Sequence, residues 1–442
     1  EYANITQSLR LVIRNKRNCH PGFRTSTIRF GENMRNADDF DSRWRLWQTP
    51  IRTAISAILS SCTNFGHRTA VPLSERRDAI ALGLGNARFF LDEPGAISAE
   101  QEQALVREAK SLGVSRGGVL PTAHYLSLSG GGDKGAFGAG LLVGWTAHGD
   151  RPKFKLVTGV STGALTAPFA FLGPEYDAAL TDVYTNIGPS RVFKKRFLPL
   201  AALMQDAMAD TSPLFGTISH YVNKEMLAKI AAEYEKGRLL LIQTTDLDAG
   251  LPVLWNIGAI AASGHPSAVD LIRRISLASA SIPGAFPPVL FDVNANGKSY
   301  QEMHVDGGAV SQAFLAPPSL DVRIAQEKTG FRREGYVAYI IRNSRLITEW
   351  SDVQRTTLPI AGKAVSIMIN YIGLGDLYRI YLTMQRAGAG FNVAYIGDDF
   401  QAEHKEQFDP GYMRALYRFG YEKAAKGYPW EHAPPGFQAE DR

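Results

Sequence analysis

The chain has 442 residues, 45% hydrophobic and 21% charged, with 42 Gly, 23 Pro and two cysteines, Cys19 and Cys62. This balance suits a globular protein of one large domain with extensions, or of two domains, and excludes intrinsic disorder, collagen-like repeats and a disulfide scaffold. The formal charge of +5 falls on residues 1–52, which hold ten basic against five acidic side chains; the remainder is neutral and offers no electrostatic reason to bind nucleic acid. No apolar run reaches the roughly 18 residues of a membrane span, and glycines interrupt the longest, Ala136–Ala147.

Residues 1–50 show no sustained helical or strand periodicity, and the sequence opens at Glu1 rather than Met. From Arg52 a basic residue, a short apolar run and Leu59-Ser60-Ser61-Cys62 match a bacterial lipoprotein signal, in which the cysteine becomes the acylated first residue because only a thiol forms the thioether. The expectation is an N-terminal extension over 1–62, with Met34 as its start and Cys62 as a lipidation site. A lipid-anchored protein of the bacterial cell envelope follows if Cys62 is acylated, a cytoplasmic or secreted one otherwise. A short buried helix with an incidental cysteine is the alternative.

Residues 63–121 read as a connector with one helix. Ser98 and Gln101 form a capping-box pair, Ala104, Leu105 and Ala109 an apolar stripe, and Gly113 a stop. The main domain is expected over 122–427, with a tail over 428–442. His124–Ser129 alternates like a strand, and glycines then open an Ala/Gly/Leu-rich helix. Strands are expected at Phe154–Val160, Leu239–Thr245, Val253–Ile260, Gly335–Ile341 and Asn392–Ile396. Helices are expected at Ala164–Leu172, Leu271–Ser281, Ala361–Gln385 and Tyr412–Ala425. Strands alternating with helices point to an α/β sheet covered on both faces.

Three motifs carry chemistry. Gly130-Gly131-Gly132-Asp133-Lys134-Gly135 follows a strand and opens a helix, where free amides favour negative charge. It fits a dinucleotide-binding turn, with Asp150 at the distance of a ribose acid, and fits an oxyanion hole equally well. Gly159-Val160-Ser161-Thr162-Gly163 sits between a strand and a helix, as a nucleophile elbow does: small neighbours let the serine hydroxyl stand clear at the sheet edge. Asp306-Gly307-Gly308 is a frequent turn pair, but a carboxylate held near Ser161 could take the hydroxyl proton as general base.

In this order and spacing the motifs resemble the patatin-like phospholipase family, whose signatures are a GGGx[RK]G loop, a GxSxG elbow and a DG[AG] motif. Ala278–Val289 (ASASIPGAFPPV) adds a fourth likeness, and the motif core spans residues 123–310. The resemblance implies a three-layer α/β/α sandwich with a mainly parallel sheet. It implies Ser161 as nucleophile, Asp306 as general base and acid, the Gly131 and Gly132 amides as oxyanion donors, and Lys134 as support for the loop. The expected activity is hydrolysis of fatty-acyl esters in phospholipids or related lipids, at a membrane surface, with no cofactor and no metal.

Two other readings stay open on the residues alone. A Ser-His-Asp hydrolase would need His404 or His432, both expected at the surface; a silent lipid-binding lipoprotein would need neither. His304 is expected to pack rather than react. Asp246, Asp248 and Gly250 are expected to form a turn, having too few carboxylates for calcium. The stripe Tyr371, Leu374, Leu377, Tyr378 and Tyr381 is expected in the core.

Overall fold

The computed structural model describes residues 68–195, 207–315, 322–347 and 350–437; the basic N-terminal stretch, the lipobox and Cys62 lie outside them. Nine strands form one sheet: β1 (Arg88–Phe90), β2 (Ala123–Leu128), β3 (Leu156–Val160), β4 (Leu239–Asp246), β5 (Leu251–Asn256), β6 (Val289–Ala295), β7 (Lys298–Asp306), β8 (Tyr336–Arg342) and β9 (Gly390–Tyr395). Their order is β1-β5-β4-β3-β2-β8-β9, with β7 joined to β4 and β6 to β7. The run β4-β3-β2-β8-β9 is parallel, while β1, β5, β6 and β7 pair antiparallel beside it.

Among the helices that cover the sheet are α1 (Pro94–Leu112), α2 (Gly135–His148), α3 (Thr162–Leu172), α4 (Ala268–Ser279), α5 (Thr357–Arg386) and α6 (Pro410–Ala425). Successive side chains along a strand go to opposite faces, which sorts the core into two layers. Leu126, Val157, Leu240, Ile242 and Ile341 enter one core with α2, α3, α4 and α6. On the other face Leu156, Val160 and Leu241 pack with Ile97 and Ala104 of α1, and Ala338 and Ile340 pack with Leu377, Ile380 and Met384 of α5. The result is the three-layer sandwich expected from the alternation. Helices α2 and α6 touch backbone to backbone: a Cβ at Gly140 or Gly144 would strike the carbonyl of Tyr417 or Tyr421.

One register detail places the site. β3 pairs with β4 as far as Val160↔Gln243 and then turns away. The next residues of the same β4 edge, Thr244 to Asp246, are taken up by β7 through Asp306↔Thr244 and His304↔Asp246. The end of β7 therefore abuts the end of β3.

Several elements differ from expectation. Helix α1 begins at Pro94, and Ser98 donates to the Pro94 carbonyl (2.8 Å) instead of capping. Gly113 does end it, at φ 68°. The expected strand Val253–Ile260 stops at Asn256, whose side chain caps a short helix over Ile257–Ala262. The stretch read as a connector supplies β1 and α1 to the same unit, Arg68–Arg442, as the main domain. Leu377 and Tyr381 are buried as expected, whereas Tyr371 is 65% exposed.

Arg88 of β1 lies buried against Glu302 of β7, bonding both carboxylate oxygens and the Ala79 carbonyl (2.7 Å). Arg88→Leu takes the cation from that buried carboxylate and leaves it the His304 hydrogen bond, and is expected to lower unfolding free energy in denaturant by about 3–5 kcal/mol. Adding Glu302→Leu should restore most of the loss; no recovery in the double variant would contradict the pairing.

Candidate active site

β3 ends at Val160, and the chain reverses at Ser161 into α3. Ser161 holds φ 55° and ψ −124°, a strained backbone for a residue with a side chain. Its neighbours make the turn possible. A Cβ at Gly159 would meet the Gly163 carbonyl at 2.5 Å and Ala164 Cα at 2.7 Å, and one at Gly163 would strike the Leu128 carbonyl. The Ser161 amide donates to Ser279 Oγ (3.0 Å), which donates to the Gln243 carbonyl (2.7 Å). This fixes the elbow from the end of α4.

The register of β7 delivers Asp306 to the same place. Its carboxylate is buried, lies within hydrogen-bonding reach of the Ser161 side chain, and accepts the Gly308 amide (2.7 Å). Burial pushes the Asp306 carboxyl up to about 7, against the Ser161 and Gly308 hydrogen bonds, which pull it down. The Asp306 amide donates to the Ser281 carbonyl (2.9 Å), which gives the Ala278–Val289 stretch a structural role. Gly307 and Gly308 lie tight against the Gln243 carbonyl and the Gln312 side chain.

The glycine loop closes over the serine from β2. Gly130 sits directly beside it: a Cβ there would come within 3.2 Å of Ser161 Cβ. The Gly130 amide donates to the Gln312 carbonyl (3.1 Å), and the Lys134 amide to the Gly131 carbonyl (3.2 Å). Among the described residues the amides of Gly131 and Gly132 have no acceptor. Gly132 has φ 61°, and a Cβ on Gly131 would run into Asn343. Gly135 is packed against Thr162, the residue after the serine.

Asn343, at the end of β8, is the clamp that sequence reading missed. Its side chain donates to the Ser129 carbonyl (2.9 Å) and accepts the Gly138 amide (3.1 Å), and its backbone amide donates to Ser129 Oγ (2.8 Å). Asp376 of α5 likewise accepts the amides of Gln312 (2.6 Å) and Ala313 (3.1 Å). Neither residue belongs to a motif; only the parallel order β3-β2-β8 brings them to the loop.

Ser161, Thr162 and Gly132 line an open cleft. Its walls are mostly apolar, with Leu165, Phe169, Ile187, Leu214, Ile218 and Phe286 in contact with the space. A chain of methylenes fits such a surface better than a charged substrate does.

The competing residues sit elsewhere. His404 is half-exposed and bonds Asp133 of the glycine loop (2.7 Å), whose carboxylate also accepts the Phe408 amide (2.8 Å). His432 lies beside the Phe391 carbonyl at the start of β9, the opposite end of the sheet. Among the described residues no histidine bonds Ser161 or Asp306. Asp150 follows α2, about 20 Å of helix away from the glycine loop, and bonds His148 (2.8 Å), so it cannot hold a ribose at that loop. His304 is packed, sharing hydrogen bonds with Thr244 (2.8 Å) and Glu302 (3.2 Å). Asp246, Glu302 and His304 are close enough to hold an ion, but Arg88 already occupies Glu302. Asp246 caps the β4–β5 turn through the amides of Asp248 (2.9 Å) and Ala249 (3.3 Å).

Residues 126–317 match the patatin-like phospholipase family, a span that holds the elbow, the glycine loop and the Asp-Gly-Gly turn. This stretch is a patatin-like phospholipase domain. Its fold is the patatin sandwich, and the family is one of lipid hydrolases. Among solved structures, VipD from Legionella pneumophila is similar over 69% of this chain and 66% of that chain, at 11% identity and a TM-score of 0.34, so the chain spans slightly less than two thirds of that protein's length. No curated protein matches the sequence.

The patatin-like domain holds a carboxylate in a place where ionisation is unfavourable, which sets a stability signature. Between about pH 4 and pH 7 the unfolded chain ionises Asp306 while the folded one keeps its proton, so this group lowers stability as pH rises through that window. Asp306→Asn removes the effect. Its stability advantage over wild type is expected to grow from pH 4.5 to pH 8 by up to ~3 kcal/mol, read from denaturant midpoints. An advantage that does not change with pH would contradict the buried, raised carboxyl.

Proposed function

We propose that this protein is a serine lipid acyl hydrolase of the phospholipase A type, working through a Ser161–Asp306 dyad. The observation that supports the reading is a strained serine beside a buried carboxylate, next to two unpaired glycine amides and in the wall of an apolar cleft. Ser161 Oγ attacks the ester carbonyl as its proton passes to Asp306. The carbonyl oxygen becomes an oxyanion and accepts the amides of Gly131 and Gly132, which need no reorganisation to receive it. Collapse breaks the ester bond, and the departing alcohol or lysolipid takes the proton from Asp306. Water then repeats the cycle: Asp306 accepts its proton, hydroxide adds to the acyl-enzyme carbonyl, and Ser161 leaves with the proton while the fatty acid is released.

One carboxylate acts here as base and acid, so an ordinary Asp would be a poor choice: ionised at neutral pH, it would hold a proton too weakly to accept one from serine. Raised to about 7, it is balanced for both steps. His404 and the Phe408 amide bond Asp133 of the glycine loop, and His404 bonds neither Ser161 nor Asp306.

Ser161→Ala is expected to lower turnover of a short-chain chromogenic ester on the order of 10³-fold or more, with the fold unchanged by circular dichroism. For wild type, kcat/KM should rise with pH to a plateau, with a midpoint near 7, because the base must be ionised in the free enzyme. A Ser161→Ala variant that keeps near wild-type activity, or a profile flat from pH 5.5 to 8.5, would overturn the assignment. Absence of turnover in wild type on both the ester and a phospholipid would leave a lipid-binding protein on the same fold.

A further inference from the structure

Helix α5 is too long for the sheet it packs on. Its 30 residues extend about 45 Å, whereas the seven of β8 extend about 23 Å. The C-terminal half is docked: Leu377, Ile380 and Met384 lie in the core, and Asp376 is tied to Gln312 and Ala313. Because α5 connects the end of β8 to the start of the parallel β9, it runs back against the strands, and its N-terminal half overhangs their carboxyl ends. That is the end at which β3 delivers Ser161 and β2 the glycine loop.

The overhang is oriented the wrong way for water. At 100° per residue, Ile360, Val365, Met368 and Tyr371 share one broad side, and all four are exposed, Met368 to 56%. The opposite side carries Lys363 and Asn370, and it is this polar side that bonds the protein. Lys363 Nζ donates to Ser351 Oγ (2.8 Å), and Asn370 accepts from Arg342 (2.8 Å) and donates to the Leu346 carbonyl (3.2 Å). The loop so held presents Trp350, 90% exposed, and Ile347. A surface helix of a soluble protein turns its apolar stripe inward; this one turns it outward.

We infer that the overhang of α5, with Trp350 and Ile347, is the surface by which the protein settles into an anionic lipid bilayer. This rests on the lipid hydrolase reading for its purpose, though not for its geometry. The patch lies at the carboxyl ends of the strands, the same end of the sheet as Ser161 and the glycine loop. Between Asp352 and Asp376 the sequence has two charges, Arg355 and Lys363; Lys363 bonds Ser351 on the protein side, and the exposed Arg355 is the cation placed to meet anionic headgroups. Trp350 and Tyr371 bring amphipathic rings of the kind that settle at headgroup depth. Among the described residues no helix is long and apolar enough to cross a membrane, which fits a helix lying in the interface.

The test uses the full chain with Cys62→Ser throughout, so that acylation there cannot hold it to vesicles. Flotation with vesicles of phosphatidylcholine containing phosphatidylglycerol is compared for this protein and for a variant with Val365→Ser and Met368→Ser added. The variant should partition on the order of tenfold more weakly and hydrolyse vesicle lipid correspondingly more slowly, with unchanged turnover of a soluble ester. Equal flotation of the two proteins overturns the inference. So does a parent chain that fails to float but forms a dimer that the substitutions break, which would make a second copy the occupant. If the parent floats, the variant does not, and neither cleaves ester or lipid, the docking surface stands and the hydrolase reading falls.

Discussion

A single edge of β4 is shared between two strands that run in opposite directions. β3 holds it up to Gln243, and β7 takes it from Thr244 onward. The serine leaves the first strand as the aspartate closes the second, so two residues 145 positions apart in the chain meet by backbone pairing rather than by loop placement. Hydrogen-bonded ladders hold positions more tightly than loops do, which suits a pair that has to exchange a proton. The elbow, the turn after Asp306 and the anchoring of both by Ser279 and Ser281 all depend on that junction.

The junction carries its own strain and desolvation. Ser161 holds a backbone conformation that side chains avoid, and Asp306 is buried with no cation beside it among the interactions that set its acidity. Both penalties are tolerated because the surroundings are over-determined: glycines at 159 and 163 admit α3, Asn343 pins the glycine loop, and Gln243 and Gln312 knit the Asp-Gly-Gly turn to the sheet. The same desolvation that weakens the fold near neutral pH gives the carboxyl the affinity for a proton that the proposed chemistry needs.

Much of this is legible in the sequence because it depends on local pattern. Apolar runs between glycine turns mark the parallel strands, and the Gly130 and Ser161 motifs sit where strand, turn and helix are expected, while Asp306 shows only its Asp-Gly turn pair. What escapes depends on long-range pairing. The hairpin of β6 and β7 alternates apolar with Asp, Asn, Gln and Glu, and its role emerges only when Asp306 pairs with Thr244. Asn343 carries no local signal, since its importance is set by strands that neighbour its own in space, whereas Ser279 falls in the Ala278–Val289 stretch, whose role only the fold explains. The aromatic stripe of α5 departs from expectation at Tyr371 because periodicity identifies a face and not what covers it; the helix outruns the sheet before that turn.

The central claim is that Asp306 makes Ser161 nucleophilic. Its most direct measurement is the rate at which a fluorophosphonate ester labels the protein, with the modified residue mapped by mass spectrometry. Labelling is expected at Ser161 alone, at a rate that falls on the order of a hundredfold or more in Asp306→Asn and stays close to wild type in His404→Phe. Labelling that survives Asp306→Asn, or that is lost with His404→Phe instead, would contradict the claim.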